Sequence, residues 1–377
     1  MENRRLVLGL LLSVALFTGP AFAAQNVANT SQKGSLLKFP NIDVRDEDSA
    51  TTTIEISNDL NIGVNLTCVY VNERKDRTDF HFFISHKGTV SWDVLSGKGE
   101  GDTGPLSFPL FPSGGSFPGD PGKGELTCFA VDQAGANQIA WNHLAGTATV
   151  LNFDDDDADQ ILQAYKYNAW AFTARSDPGT TVPDGTPVGT AGNILLTGGG
   201  TGTYDACPLY LIANFSPGGA TFATGRGNAN YVDDDLAVAS CNEDLRQDFL
   251  IHLTKLNFAI WNSKQTKFTG SYICSDSVLE FGLIPPDAPS ALVHPENFTF
   301  GVLGTTDARF QVTGVVSSVC PGSEATGLVG VLTTSLGIAD TNETNELGAT
   351  LHGAGVESGF VLWDPQPSIV PQAPKKH

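Results

Sequence analysis

The chain has 377 residues and a formal net charge of −20; 41% of its residues are hydrophobic and 16% are charged. This acidic balance opposes contact with nucleic acid and with anionic lipid, so a nucleic-acid partner is excluded. The hydrophobic share, with 41 glycines and 21 prolines, is typical of a globular, turn-rich chain and not of a disordered one.

An export signal is predicted at the start of the chain. Arg4 and Arg5 precede an apolar run over residues 6–17 and the small-x-small sequence of residues 21–23. This is the pattern of a cleaved signal peptide, residues 1–23. The run is too short to span a bilayer and no later segment is long enough, so no transmembrane anchor is expected after cleavage. The predicted location is the periplasm, the cell surface or the extracellular medium.

Short runs of β-branched and aromatic residues, bounded by Gly, Asn and Asp, predict strands along most of the chain. They are Thr51–Ser57, Val64–Val71, Phe80–Ser85, Leu126–Val131, Gly146–Phe153, Leu209–Asn214, Leu236–Cys241, Phe249–Thr254, Ser271–Cys274, Ala308–Val316 and Gly327–Thr334. Only residues 159–168 also fit a helix. Many short strands at turn-limited spacing indicate an all-β sandwich or barrel.

A motif that occurs twice predicts an internal duplication. Asp79-Phe80, Ile84-Ser85 and Trp92 match Asp248-Phe249, Leu253-Thr254 and Trp261, each 169 residues later, and both copies are apolar at the same alternate positions. We therefore predict two tandem β-sandwich domains over residues 24–175 and 203–364. A Pro- and Gly-rich linker over 176–202 joins them, and a flexible tail over 365–377 follows.

The first copy carries an insertion, residues 97–124, that holds 9 glycines and 5 prolines. Such a segment has little to bury and predicts a surface loop. Its apolar residues, among them Phe108 and Phe111, either cap the edge of the sandwich or form a binding surface.

Six cysteines in a chain bound for an oxidising compartment predict disulfides. Cys68 and Cys128 bracket the first motif, and Cys241 and Cys274 bracket the second in the same order. The predicted pairs are therefore Cys68–Cys128 and Cys241–Cys274, which leaves Cys207–Cys320. The cysteine and histidine spacings of zinc sites do not occur.

The order Cys68, Trp92, Cys128, repeated as Cys241, Trp261, Cys274, resembles the cysteine–tryptophan–cysteine core of immunoglobulin-like sandwiches. This resemblance implies two tandem immunoglobulin-like domains. The segments Trp141-Asn142-His143-Leu144-Ala145-Gly146 and Cys207-Pro208-Leu209-Tyr210-Leu211 are similar to an uncharacterised group of exported bacterial β-rich proteins. That similarity implies no activity and no functional residues.

Candidate sites are few, because the chain has no nucleophile elbow, zinc-protease or phosphate-loop motif. Asp154, Asp156 and Asp159 lie in a dense acidic turn, where hard oxygen ligands could hold calcium or simply be solvated. Trp141 and His143, with Phe108 and Phe111, form a second candidate, a ligand surface. No cofactor other than calcium is expected.

The function predicted from these features is that of an exported, non-catalytic binding or cell-surface structural protein, with a cell-surface protein or a polysaccharide as partner. One alternative is an extracellular polysaccharide-active enzyme that uses paired carboxylates. The other is a calcium-dependent adhesion module.

Overall fold

The structure, a computed structural model, describes residues 27–44, 50–112, 122–154, 157–176, 180–191, 204–224, 227–240, 253–275, 279–285, 288–338, 344–350 and 352–354. Within these ranges nearly all regular structure is β. No helix in the described part of the chain is long and apolar enough to cross a membrane.

The strands of the first half are β1 (Leu36–Asp43), β2 (Ala50–Asn58), β3 (Val64–Asn72), β4 (Arg77–Ile84), β5 (Thr89–Asp93), β6 (Lys98–Gly101), β7 (Gly104–Ser107), β8 (Lys123–Val131), β9 (Asn137–Ile139), β10 (Leu144–Asp154), β11 (Asp157–Asn168), β12 (Trp170–Phe172), β13 (Arg175–Ser176), β14 (Thr180–Thr181) and β15 (Pro187–Thr190). Residues 159–168, which also fitted a helix, lie in strand β11.

The strands of the second half are β16 (Tyr210–Phe215), β17 (Thr221–Thr224), β18 (Gly227–Ser240), β19 (Thr254–Asn262), β20 (Lys267–Ser275), β21 (Leu279–Gly282), β22 (Leu292–Val293), β23 (Ala308–Val315), β24 (Leu328–Ile338), β25 (Thr344–Thr350) and β26 (His352–Ala354). A 3-10 turn over Pro295–Phe298 and a single helical turn, α1 (Phe300–Leu303), connect β22 to β23.

Two antiparallel sheets form the first half. One has the order β12-β1-β8-β3-β4, with β9 on β8 and β15 on β9, and the other has the order β11-β10-β2-β5-β6-β7. Alternating burial along β2, where Ile54 and Ile56 are buried and Glu55 and Ser57 are not, shows that one face of the second sheet is solvated. The predicted sandwich-like, all-β class is confirmed.

The second half also consists of antiparallel sheets. One has the order β22-β20-β19-β23-β16-β26, and the other has the order β17-β18-β24-β25 with β21 on β18. Strand β23 alternates strictly between buried and partly exposed residues, so Phe310 and Val312 face the core while Arg309 and Gln311 face outward. This alternation defines the solvated face on which the candidate site lies.

The two halves share an apolar core. Leu36, Phe129 and Phe172 of the first half belong to the same buried cluster as Leu211 and Phe310 of the second. Across this junction the indole Nε1 of Trp170 donates a hydrogen bond to the carbonyl oxygen of Gly330 at 3.2 Å. Buried apolar area of this kind stabilises the contact between the halves.

The described part of the predicted linker is packed, not extended. Strands β13 and β14 form a hairpin, and β15 pairs with β9 of the first half. The backbone amides of Ala140 and Gly185 also donate hydrogen bonds to the carbonyls of Thr186 and Ala140, both at 2.8 Å. Proline and glycine content predicts turns, but it does not show whether the backbone between the turns finds a partner.

The two copies of the repeated motif differ in structure. Asp79 lies in β4 and Trp92 in β5, strands of different sheets, because the chain turns at Ser85–Gly88, where the Gly88 amide bonds the Ser85 carbonyl at 3.2 Å. The matched residues 254–261 form one uninterrupted strand, β19, and residues 248–252 lie outside the described ranges. The predicted equivalence of the two windows is wrong there, so tandem duplication stays a prediction without support from these strands.

The disulfides agree with only one of the predicted pairs. Cys68 and Cys128 are joined, but they are direct neighbours on β3 and β8 of one sheet, with their Cα atoms 4.1 Å apart. The disulfide of an immunoglobulin-like domain instead connects two sheets. Cys274 is joined to Cys320, so the predicted pairs Cys241–Cys274 and Cys207–Cys320 are wrong. Cys207 is disulfide-bonded to a partner outside the described residues.

The error has a physical reason. Cys274 lies at the end of strand β20, and the loop after β23 returns to this point. A turn in that loop, in which the Cys320 amide donates to the Ser317 carbonyl at 3.1 Å, brings the Cys320 sulfur next to Cys274. Cysteine order along the chain contains no information on this return.

Peptide mapping under non-reducing conditions tests the Cys274–Cys320 pair. Trypsin separates residues 268–309, which contain Cys274, from residues 310–375, which contain Cys320. We expect these two peptides to run as one cross-linked species that splits on reduction. Recovery of residues 268–309 cross-linked to residues 227–246, which contain Cys241, would show instead that the order-based pairing is right.

Candidate functional site

Three of the four residues predicted to form a ligand surface are buried. Trp141, Phe108 and Phe111 are exposed by only 6%, 7% and 5%, and the His143 side chain by 29%. The prediction of a surface built from these four residues is therefore wrong. Trp141 donates from Nε1 to Oδ1 of Asn58 at 3.0 Å, a bond that fixes the loop before β10 against the end of β2.

Phe108 and Phe111 close the edge of the first sandwich. Strands β6 and β7 of the insertion form a hairpin that extends the sheet of β5 and returns Phe108 onto Trp92, with ring centroids 4.7 Å apart. Gly97 permits this return, since its φ is 64° and an added Cβ would run into the carbonyl of Phe108. Phe111 packs edge-on against Tyr70 at 5.4 Å. Residues 113–121 of the insertion lie outside the described ranges.

His143 lies in a cluster of paired charges. Its Nδ1 is 2.7 Å from Oδ1 of Asp59 and its Nε2 is 3.1 Å from Oδ2 of Asp184. Lys33 also bonds Asp59, and this contact is the main reason that the pKa of Asp59 lies below its usual range. Because both ring nitrogens of His143 already face carboxylates, neither is available to act as a base on a substrate. The cluster ties three loops together.

The predicted calcium residues cannot be placed against a ligand. Asp156 and the side chains of Asp154 and Asp159 lie outside the described part of the chain, so a calcium site there stays a prediction. Among the residues that are described, no three His, Cys, Asp or Glu side chains are arranged to hold a metal ion.

A groove of about 520 Å³ lies on the solvated face of the first half, beside β2, β10 and β11. Its charged side chains are already paired, since Lys166 bonds the carboxylate of Glu55, to which Thr147 also donates at 2.9 Å. The bond from Lys166 lowers the pKa of Glu55. A ligand would have to compete with this pair for either charge.

The most distinctive surface is the solvated face of the second half. Alternate residues of β19, β20 and β23 face outward there, and we call this set the basic face: Lys255, Asn257, Ala259, Trp261, Lys267, Thr269, Ser271, Arg309, Gln311 and Thr313. It holds three cations and no carboxylate, in a chain whose net charge is −20. A concentration of cations in such an acidic protein is the feature that makes this face a candidate site.

Trp261 is held between two cations. It lies directly opposite Lys267 on β20 and opposite Arg309 on β23, the strands that flank β19. Nζ of Lys267 is 5.5 Å and the guanidinium carbon of Arg309 is 5.0 Å from the ring centroid, within cation–π range. Neither cation forms an ion pair with a residue that the structure describes.

A groove lies in the middle of the basic face. Its volume is about 470 Å³, and the small outward residue Ala259 forms part of its lining together with Val293 and His294 of the sheet edge. Amide and hydroxyl side chains, among them Asn257, also line the groove.

Besides Glu324, whose amide donates to the Leu253 carbonyl at 2.7 Å beside the start of β19, two carboxylates lie near the ends of this region, and both have partners. Glu296 accepts a hydrogen bond from Nδ1 of His294 at 2.9 Å, which is the main reason that its pKa is lowered. Asp307, just before β23, accepts a bond from Oγ1 of Thr306 at 3.2 Å. Neither stands at an outward-facing position of the three strands.

The basic face could have been found from the alternation of residue types. Side chains an even number of residues apart lie on the same face of a strand. The polar and aromatic residues of the basic face have this spacing, namely Lys255, Asn257 and Trp261 on β19 and Arg309, Gln311 and Thr313 on β23. Assigning Trp261 to a core equivalent to that of Trp92 hid this signal. Trp261 is partly exposed, whereas Trp92 is 1% exposed.

Similarity to known proteins is low. No protein-family model matches the chain, and no curated protein matches it. Among solved structures, the PBSX exported protein XepA is 10% identical over 83% of this chain and 85% of that chain, with a TM-score of 0.18. The CupB6 tip adhesin from Pseudomonas aeruginosa is 7% identical over 88% of this chain and 96% of that chain, with a TM-score of 0.12. Similarity at this level assigns no family and no function.

Proposed function

We propose that the chain is an exported, non-catalytic binding protein that contacts its ligand through the basic face. The observation that carries this proposal is the placement of Trp261 between Lys267 and Arg309 on a solvated sheet face without carboxylates. Tryptophan and arginine are among the residues most enriched where binding energy concentrates, and Trp261 with Arg309 beside its ring forms such a centre.

The disulfides support the exported part of this proposal. Disulfides such as Cys68–Cys128 and Cys274–Cys320 form and persist most commonly in oxidising compartments outside the cytoplasm. The sheets support the binding part, because adjacent strands of an antiparallel sheet hold their outward side chains at fixed spacing. The basic face is thus preorganised, and little ordering of the backbone accompanies binding.

The alternatives remain predictions. An enzyme with paired carboxylates has no specific observation in its favour among the described residues. The two carboxylates around His143, those of Asp59 and Asp184, both contact the histidine ring. A calcium-dependent adhesion module depends on Asp154, Asp156 and Asp159, whose side chains lie outside the described part of the chain.

Retention on immobilised polymers tests the proposal. The purified chain is passed over alginate, dextran, chitin and cellulose supports and over immobilised envelope proteins of the host. We expect at least one support to retain it, and Trp261→Ala to weaken that retention by about tenfold or more, because the variant loses the indole and releases both cations.

Phe83→Ala is the matched control, since Phe83 is an aromatic side chain 55% exposed on β4 of the first half. It should bind as the unchanged chain does. Retention by none of the supports, or retention that Trp261→Ala leaves unchanged, would show that the basic face is not the binding surface.

A further inference from the structure

We propose that the ligand of the basic face is a linear acidic polysaccharide, a polymer whose carboxylates are separated by neutral sugar hydroxyls. The inference rests on the proposed function and names the chemical class that this face fits. Its support comes from the spacing of the cations, the neutral side chains between them and the shape of the groove.

The cations are few and widely spaced. Lys267 and Arg309 stand on strands either side of β19, so their backbones are about 10 Å apart, which is two strand spacings. Lys255 precedes Trp261 by six positions on the same strand, about 20 Å away. The face therefore matches anionic groups separated by distances of the order of a sugar unit or more.

This spacing distinguishes a polysaccharide from denser polyanions. Duplex DNA carries about one charge per 1.7 Å of its axis, and three cations would neutralise only a small part of that charge along the face. The net charge of −20 over the whole chain would repel the remainder. A polymer with sparse carboxylates gains contact with the cations and meets much less repulsion.

Neutral hydrogen-bonding groups fill the space between the cations. Asn257, Gln311 and Thr313 face outward on β19 and β23, and Thr269 and Ser271 do so on β20. These five side chains make no hydrogen bond with one another or with any other residue that the structure describes. Amides and hydroxyls in contact with water are suitable partners for sugar hydroxyls, which both donate and accept.

The groove gives the polymer a path. Its lining runs from Lys267 past Ala259 to Asn257 and Thr313, so it crosses the strands between the cationic end of the face and its neutral middle. Trp261 stands beside that cationic end, where Lys267 and Arg309 are both in cation–π contact with its ring. A sugar at this end can place its carboxylate beside Lys267, and the sugars that follow it in the groove can place their hydroxyls beside the neutral side chains.

Calorimetric titration of the full chain with alginate tests the inference, with dextran as a neutral polysaccharide for comparison. We expect alginate to bind at least tenfold more tightly than dextran. The difference should shrink as salt rises from about 0.1 M to about 1 M, because the Debye length falls from about 10 Å to about 3 Å.

Variants identify the face. The double variant K267Q/R309Q should weaken alginate binding by about tenfold, roughly threefold for each exposed cation. The matched control is K87Q/K98Q, which removes the same net charge from exposed positions of the first half and should bind alginate as the unchanged chain does. Equal losses in the two double variants would mean that net charge alone decides binding, which would overturn the inference.

Other outcomes separate this inference from the proposed function. Tighter binding to dextran than to alginate, lost in Trp261→Ala, would keep the binding face and overturn the acidic ligand. Equal or tighter binding to duplex DNA or to anionic phospholipid vesicles would also overturn it, since the ligand class would then not be a polysaccharide. No binding to any of these probes, nor to the supports used above, would overturn both.

Discussion

Trp92→Ala is expected to lower the free energy of unfolding by about 3–5 kcal/mol, the usual range for a buried tryptophan in a well-packed core. The Trp92 side chain is 1% exposed and stacks on Phe108, and Phe80 and Phe82 meet it edge-on at 6.0 and 5.5 Å. Its Nε1 also donates to the hydroxyl of Tyr70 at 2.6 Å. Burial raises the pKa of that hydroxyl above its usual range, so it stays protonated.

The alanine variant leaves a cavity between the sheets and an unpaired hydroxyl, which together account for the size of the effect. Urea unfolding followed by far-UV circular dichroism measures it without relying on tryptophan fluorescence. The midpoint should fall well below that of the unchanged chain.

Trp261→Ala is the matched comparison, because the repeated motif pairs Trp261 with Trp92. The structure places Trp261 on the solvated face of β19, so we expect its replacement to change the free energy of unfolding by no more than about 1 kcal/mol. Equal and large losses for the two variants would contradict this placement and would favour two equivalent domains. A small loss for Trp92→Ala would contradict the described core.

Lys38→Met is expected to destabilise the protein by about 3–5 kcal/mol, since it removes the cation that bonds a buried carboxylate. Lys38 on β1 and Glu125 on β8 each have side chains only 1% exposed, and Nζ of Lys38 bonds Oε1 of Glu125 at 2.7 Å. Lys38 shares its face of β1 with Leu36, which belongs to the core common to both halves. The ion pair thus lies next to the junction between the halves.

The double variant Lys38→Met/Glu125→Leu distinguishes the effect of the buried charge on stability from the effect of side-chain packing. Replacing a whole buried ion pair by apolar side chains is often neutral or stabilising, so the double variant should unfold within about 2 kcal/mol of the unchanged chain. Denaturant midpoints of the three proteins give the comparison. A double variant as unstable as Lys38→Met would show that shape at the junction, and not the removal of the cation beside Glu125, causes the loss of stability.

Strand positions were predictable because their signal is local. The alternation of Thr51–Ser57 and of Ala308–Val316 reappears as the alternating burial of β2 and β23. The interior position of Trp92 also agrees with a core tryptophan. A period of two, β-branched residues and turn residues at the ends are properties of a few neighbouring residues, so the sequence contains them.

Contacts between distant residues were not predictable in the same way. The order of the cysteines suggested Cys241 as the partner of Cys274, whereas the structure brings Cys320 to it. Glycine and proline content left open whether Phe108 caps the edge of the sandwich or faces a ligand, and the β6–β7 hairpin returns it onto Trp92. Both contacts depend on where a turn sends the chain, which is decided by packing far away along the sequence.

The sequence by itself determined the all-β class, the acidic character and the residue types that alternate on each strand. Only the tertiary structure decided which face of β19 is covered, and therefore that Trp261, Lys267 and Arg309 meet in solvent while Trp92 is enclosed. Alternation divides a strand into two faces, but burial depends on which face a second sheet covers. That choice is made by the free energy of the whole packed core and not by any single strand.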